Sequence, residues 1–228
     1  MAFKPRKNTE REMARRCKQV AREVARITSS GQDATTIVYA LEQYGRQVAP
    51  WAEDVMLKIV EMSDRQNLGM WRELSGKLAE KLQTLTTRDA VAQAIRELSL
   101  EGARLITSIP LDIAVEVETA AQAAAMTGTR HEALSEYIAS RGGVAQSRAE
   151  LIARTETARQ TTILTQTRAV SIGSEGYIWR TADAGRVRPS HAAMNGQYVK
   201  WSEPPTLDGL TGHAGALPNC RCYPEPIV

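Results

Sequence analysis

Four side chains that bind soft or borderline metal ions fall close together near the end of the 228-residue chain: His191, His213, Cys220 and Cys222. Imidazole nitrogen and thiolate sulfur are donors that suit zinc, and two of each would complete a tetrahedral Cys2His2 shell. A shell closed by four protein ligands is structural, because it leaves no position for a water to be activated. The Cys-x-Cys step can chelate one ion, although it is less diagnostic than Cys-x-x-Cys, and the histidine spacing matches no common finger. The plain alternative is a pair of reduced thiols and two turn histidines in a loop-rich tail. With Cys17 isolated, the three cysteines make no disulfide framework, and a reducing cytoplasm is the expected setting.

The residues around these ligands read as short strands and tight turns. Residues 177–181 and 197–201 carry the β-formers, Asn195-Gly196 is a hairpin-turn signal, and residues 221–223 offer a third strand. So small a sheet has little core of its own, and such units are pinned by a metal or by docking on helices.

Everything before Ile172 reads as helix. The first helix spans about residues 9–29 and stops at Ser29-Ser30-Gly31. Met13, Cys17, Val20, Val24 and Ile27 repeat every three or four positions, a narrow seam for one partner helix. Asp33 caps a second helix that should end before Pro50, because the residue before proline is pushed out of helical geometry. Thr87 caps another over residues 88–107, and Pro110 suits the first turn of the next. The small residues of Thr119-Ala-Ala-Gln-Ala-Ala-Ala read as a packing face. Two capping boxes, Thr129 with Glu132 and Ser147 with Glu150, open two further helices separated at Arg141-Gly142-Gly143. The expected fold class is α+β: a mainly helical N-terminal body of six to eight helices with a small, turn-rich β cassette at the C-terminus. The expected divisions are a basic helical arm (1–30), a helical body (31–144) and a C-terminal domain (145–228).

Charge is unevenly placed along the chain. Residues 1–26 hold nine Lys or Arg against three Glu, while the remainder is slightly acidic. Arg6, Lys7, Arg11, Arg15, Arg16, Arg22 and Arg26 point to an anionic partner for the arm, either nucleic acid or an acidic protein surface. The competing reading is a solvated face, or pairing with acidic residues of a neighbouring helix. No run of apolar residues suggests a membrane span or a secretory signal. Ser-His-Asp order, a phosphate-binding glycine loop and a dinucleotide fingerprint are all missing.

One combination of motifs carries a family resemblance. Trp179-Arg-Thr-x-Asp183-x-x-Arg186-Val-Arg188-x-Ser-His191, then Asn195-Gly196, Gly212-His213-x-Gly215 and Pro218-Asn-Cys220-Arg-Cys222 resemble the Mu-F-like phage head morphogenesis domain. Arg154-Thr-Glu156-Thr resembles the helix that leads into that domain. The likeness covers about residues 145–228, and the helices before it are not diagnostic. It implies a non-enzymatic minor head protein of a tailed bacteriophage, present in few copies and associated with the portal during procapsid assembly. The implied partners are the portal protein, the major capsid or scaffolding protein, and viral DNA. The implied location is the head interior of the virion, with the host cytoplasm during assembly. Within the motif, Asp183 and Arg186 are expected to fix a turn by charge-assisted hydrogen bonds, while Arg188 and Arg221 either do the same or face DNA. Two other readings stand beside this one. The first is a metal-dependent nuclease or hydrolase using His191 or His213 as base, with Asn195 as a faint echo of a His-Asn-His site. The second is a plain DNA-binding adaptor.

Overall fold

The seam of the first helix is buried as its spacing predicts. In the computed structural model, which describes residues 3–74, 80, 82, 85–182 and 187–228, α1 runs Lys7–Thr28. Met13, Cys17, Val20 and Val24 are inaccessible to solvent and Ile27 almost so. Each such side chain contributes roughly 1.5–3 kcal/mol by leaving water.

Three further long helices follow: α2 (Ala34–Leu74), α3 (Leu85–Thr127) and α4 (His131–Ser171). None of these described helices is long and apolar enough to cross a membrane. Asp33 caps α2 as expected, its carboxylate accepting from the Thr36 amide at 3.0 Å and from the Thr36 hydroxyl at 2.6 Å.

The predicted breaks are the main departure from the sequence reading. Pro50 lies inside α2 and Pro110 inside α3, and α4 continues unbroken through Gly142, Gly143 and Ser147. An interior proline costs about 3 kcal/mol through its lost hydrogen bond and ring clash. For Pro50 that cost falls on an exposed face, while Val48, Ala52, Val55 and Met56 on both sides of it are buried. Packing on the buried face carries the helix through. Gly142 is a contact point rather than a stop. A Cβ there would sit 2.7 Å from Ala25 Cβ and 2.9 Å from Ala25 Cα, so only glycine lets α4 approach α1 this closely. The small-residue run of α3 is not a buried packing face either, since Ala123 and Ala125 are exposed.

The chain divides into two compact units. One is built from Glu12–Met56 and Leu100–Ala153. Within it, Lys18 pairs with Glu150 at 2.6 Å and Arg141 with Glu116 at 3.3 Å. The other gathers Met1–Arg11, Leu57–Ser99 and Arg154–Val228, and it contains the C-terminal cassette. A buried polar layer joins α2 to α4 inside this second unit. Ser63 donates to Gln160 at 2.8 Å, Asn67 to Thr165 at 2.7 Å, and Arg168 to Asn67 at 2.7 Å and to Asp64 at 2.5 Å.

The cassette is a three-stranded antiparallel sheet in the order β2-β1-β5, with β1 at Gly176–Arg180, β2 at Tyr198–Lys200 and β5 at Tyr223–Pro226. Tyr177 pairs with Val199 on one side and with Pro226 on the other. Asn195-Gly196 does not form the tight hairpin its sequence suggests. A short helix, α5 (Pro189–Ala193), intervenes between β1 and β2, and Asn195-Gly196 turns the chain out of it. The tight hairpin lies elsewhere, where β3 (Thr206–Leu207) and β4 (Leu210–Thr211) are joined by Asp208-Gly209. Asp208 at φ 52° and Gly209 at φ 79° give this turn the two left-handed residues of a type I′ connection. The cassette's core is shared with the helices. Tyr177, Trp179, Val199, Trp201 and Leu217 pack with Met70 and Trp71 of α2, Ala169 of α4 and Phe3. The architecture is α+β, with four long helices and a small antiparallel C-terminal sheet.

Candidate metal centre

Three of the four expected ligands converge. His191 lies on α5, and Cys220 and Cys222 lie in the loop just before β5; all three are buried, and their ligand atoms lie within 4.8 Å of one another. His191 Nδ1 is 3.3 Å from Cys220 Sγ and 3.8 Å from Cys222 Sγ. The convergence follows from local structure. Pro189 sits in the first turn of α5 and places His191 on its inner side, where the ring meets Trp179 of β1 edge-on at 5.7 Å. The Cys-x-Cys loop is clamped onto α4, the helix that carries Arg154-Thr-Glu-Thr. Arg154 donates to the Asn219 side chain at 2.9 Å, and the Asn219 amide donates to Thr155 Oγ1 at 3.0 Å. Gly215 closes the same contact. Its φ of 88° favours glycine, and a Cβ there would meet Thr162 Oγ1 at 2.5 Å and the Cys222 carbonyl at 2.8 Å.

His213 is held apart from this cluster. Its Nδ1 is 3.3 Å from the Tyr177 hydroxyl and its Nε2 is 3.4 Å from Gln166 Nε2, and its ring packs edge-on against Tyr177 and Trp201. The Tyr177 hydroxyl also accepts the Ala214 amide at 3.1 Å, which fixes the Gly-His-x-Gly loop to β1. Burial pushes the His213 imidazole below its ordinary pKa and the Tyr177 phenol above its own.

The two thiols behave as a pair. The Cys222 side chain and the backbone amides of Cys222 and Gly215 favour an ionised Cys220, whose pKa is lowered, with His191 adding to the effect. Cys222 is raised by its bond to Cys220 and by burial. One buried thiolate beside one thiol and an imidazole nitrogen is a donor set suited to a soft or borderline ion. A further sign is Trp179. Its buried Nε1 has no hydrogen-bond partner at bonding distance, and the indole lies toward Cys222, where it favours the ionised sulfur. These three residues could hold a metal.

Of the remaining motif residues, Trp179 is wholly buried in the cassette core. Arg188 donates to the Pro218 carbonyl at 2.7 Å and stands 3.4 Å from His191 Nε2, so it ties α5 to the Cys-x-Cys loop. Asp183 and Arg186 lie outside the described residues. On α1, Glu12 engages Arg15 at 2.6 Å and Arg16 at 2.8 Å, Glu23 engages Arg26 at 2.6 Å, and Arg6 reaches Glu73 at 3.5 Å. The Arg15 guanidinium holds Glu12 down to about 2. Lys7, Arg11 and Arg22 are exposed and form no ion pair among the described residues. The sequence reading missed Asp208, whose carboxylate comes within 4.0 Å of His191 Nε2. The signal was present: Asp-Gly between two short runs of Thr and Leu marks a type I′ turn.

Comparison with known proteins agrees with the motifs. Residues 115–224 match the model of a family described as phage Mu protein F like protein. An uncharacterized protein of Haemophilus influenzae is 29% identical over 203 residues, an alignment that covers 86% of this chain. The chain spans less than half, 44%, of that relative's length. No solved structure matches. The C-terminal part of the chain, from Val115 to Pro224, is thus similar to the Mu-F-like family, and the Trp179, His191, Gly215 and Cys-x-Cys motifs within it build one folded cassette.

Proposed function

We propose that this chain is a non-enzymatic minor head protein of a tailed bacteriophage that acts in head morphogenesis. The C-terminal module, residues 145–228, docks on the portal inside the procapsid, next to the major capsid or scaffolding protein. The exposed cations of the 1–30 arm contact packaged viral DNA, and the protein passes from the host cytoplasm into the head interior of the virion. A zinc ion on His191, Cys220 and Cys222 pins the cassette. The observation that carries this reading is the convergence of family motifs, scattered over about fifty residues of sequence, on one buried cluster within the segment that matches the Mu-F-like model.

A second reading has one observation in its favour. Three protein ligands leave a tetrahedral ion one position short, which is the coordination of a catalytic zinc. Against hydrolysis stands the burial of all three donors, since a metal-activated water must reach a substrate. The test is genetic and compositional. Heads purified from the wild-type phage should contain the chain in few copies relative to the major capsid protein, and deleting its gene should give defective or unfilled heads. Normal infectious heads from the deletion, or absence of the chain from every head intermediate, would overturn the proposal.

A further inference from the structure

We infer that Asp208 is a positioning residue for the metal centre and that it competes with Arg188 for the outer nitrogen of His191. The inference rests on the metal reading above. Nδ1 of His191 faces the two sulfurs, at 3.3 and 3.8 Å. Nε2 faces Arg188 Nη1 at 3.4 Å and Asp208 Oδ2 at 4.0 Å. These two neighbours impose opposite demands. A guanidinium only donates and a carboxylate only accepts. When Arg188 is the partner, Nε2 must offer its lone pair, so the ring hydrogen sits on Nδ1 and points at sulfur. When Asp208 is the partner, the hydrogen sits on Nε2 and the Nδ1 lone pair is available to a metal. A metal-bound imidazole almost always donates its second N–H to an acceptor, and of these two neighbours only Asp208 is one.

The surroundings fit a handover between the two. A separation of 4.0 Å is beyond hydrogen bonding, and a shift of about 1 Å brings Asp208 into range. Arg188 keeps its bond to the Pro218 carbonyl at 2.7 Å when it gives up the imidazole. Asp208 is aimed from both sides. Its backbone is set by the type I′ turn, and Ser190 Oγ, one residue before His191, donates to its Oδ2 at 2.9 Å. Turn chemistry alone would accept asparagine equally well at this left-handed position, so the carboxylate is free to serve the ring.

The intact 228-residue chain decides the matter through Asp208→Asn. Cobalt titration, followed by the thiolate-to-cobalt charge-transfer band, and zinc competition with a chromophoric chelator give the affinities. Thermal unfolding of the metal-free proteins gives the control. We expect wild type to bind one ion per chain, and the variant to bind about 10–100-fold more weakly with an unchanged metal-free Tm. In the zinc-loaded wild type, nitrogen NMR should place the ring hydrogen on Nε2. Equal affinity of variant and wild type would overturn the inference and leave the metal centre standing. A parallel loss of metal-free stability would make Asp208 a turn residue only, which overturns it as well. A wild-type protein that binds no cobalt would remove the metal reading itself.

Discussion

Exchanging the two histidines of the cassette should have different consequences, because their rings have different neighbours. His191→Ala, Cys220→Ser and Cys222→Ser should each abolish stoichiometric zinc, read by elemental analysis, whereas His213→Ala should retain it. Zinc that follows His213 instead would mean that the cluster rearranges around that ring. The His213 substitution should show itself in the pH dependence of stability. Burial holds the folded-state pKa of His213 below its ordinary value near 6.5. The unfolded chain therefore takes up the proton first on acidification. The contribution is complete above about pH 6.5 and is lost as pH falls through the lower folded value. The Tm of the wild-type protein should drop as pH is lowered below 6.5, and this component should vanish in His213→Phe. The sequence reveals that these side chains are ligand types. Which histidine meets the thiols depends on the placement of α5 and of the Gly-His-x-Gly loop, and neither follows from spacing.

The helices show why punctuation was misread. Gly142-Gly143, Pro50 and Pro110 are breakers by local propensity, but each lies within a helix whose buried face continues on both sides. Tertiary packing outweighs an intrinsic cost of at most a few kcal/mol. The glycine pair offers a direct check, because its members have different surroundings. Gly142→Ala forces a Cβ to within 2.7 Å of Ala25 Cβ and should destabilise by about 1–3 kcal/mol. Gly143 meets nothing within 4 Å, so Gly143→Ala should be neutral or stabilise by up to about 1 kcal/mol. Urea denaturation of the two variants would separate them. The reverse order would mean that α4 is held by something other than its close approach to α1. By contrast, the α1 seam and the Asp33 cap were legible in advance, because both are local patterns that tertiary packing reinforces.

At the scale of the whole molecule, the cassette's unit is discontinuous, and this changes how the arm can be tested. Phe3 is buried against Trp71, with ring centroids 5.0 Å apart, in the same core that holds Tyr177 and Trp179. Thr9 donates to Gln66 at 2.8 Å, and this contact too belongs to that unit. Such long-range pairing leaves no trace in composition or periodicity, so the basic N-terminus reads as a detachable arm. Removing residues 1–30 would take out a core aromatic, worth about 3–5 kcal/mol by analogy with Phe→Ala truncation. Loss of DNA binding in such a truncation would then report unfolding as readily as lost charge. Substituting charges avoids the confusion. Arg15, Arg16 and Arg26 already face carboxylates of their own helix, whereas Lys7, Arg11 and Arg22 do not. If α1 lies along DNA, Lys7→Gln, Arg11→Gln and Arg22→Gln should each lower the slope of log K against log salt by about 0.9. Arg15→Gln and Arg26→Gln should lower it less, because a carboxylate of the same helix already occupies each of these guanidinium groups. Fluorescence anisotropy with duplex DNA across a salt series, on variants whose Tm matches wild type, measures the difference. A slope unchanged by all five substitutions would remove DNA from the arm's role and leave an acidic protein surface as the partner of its exposed cations.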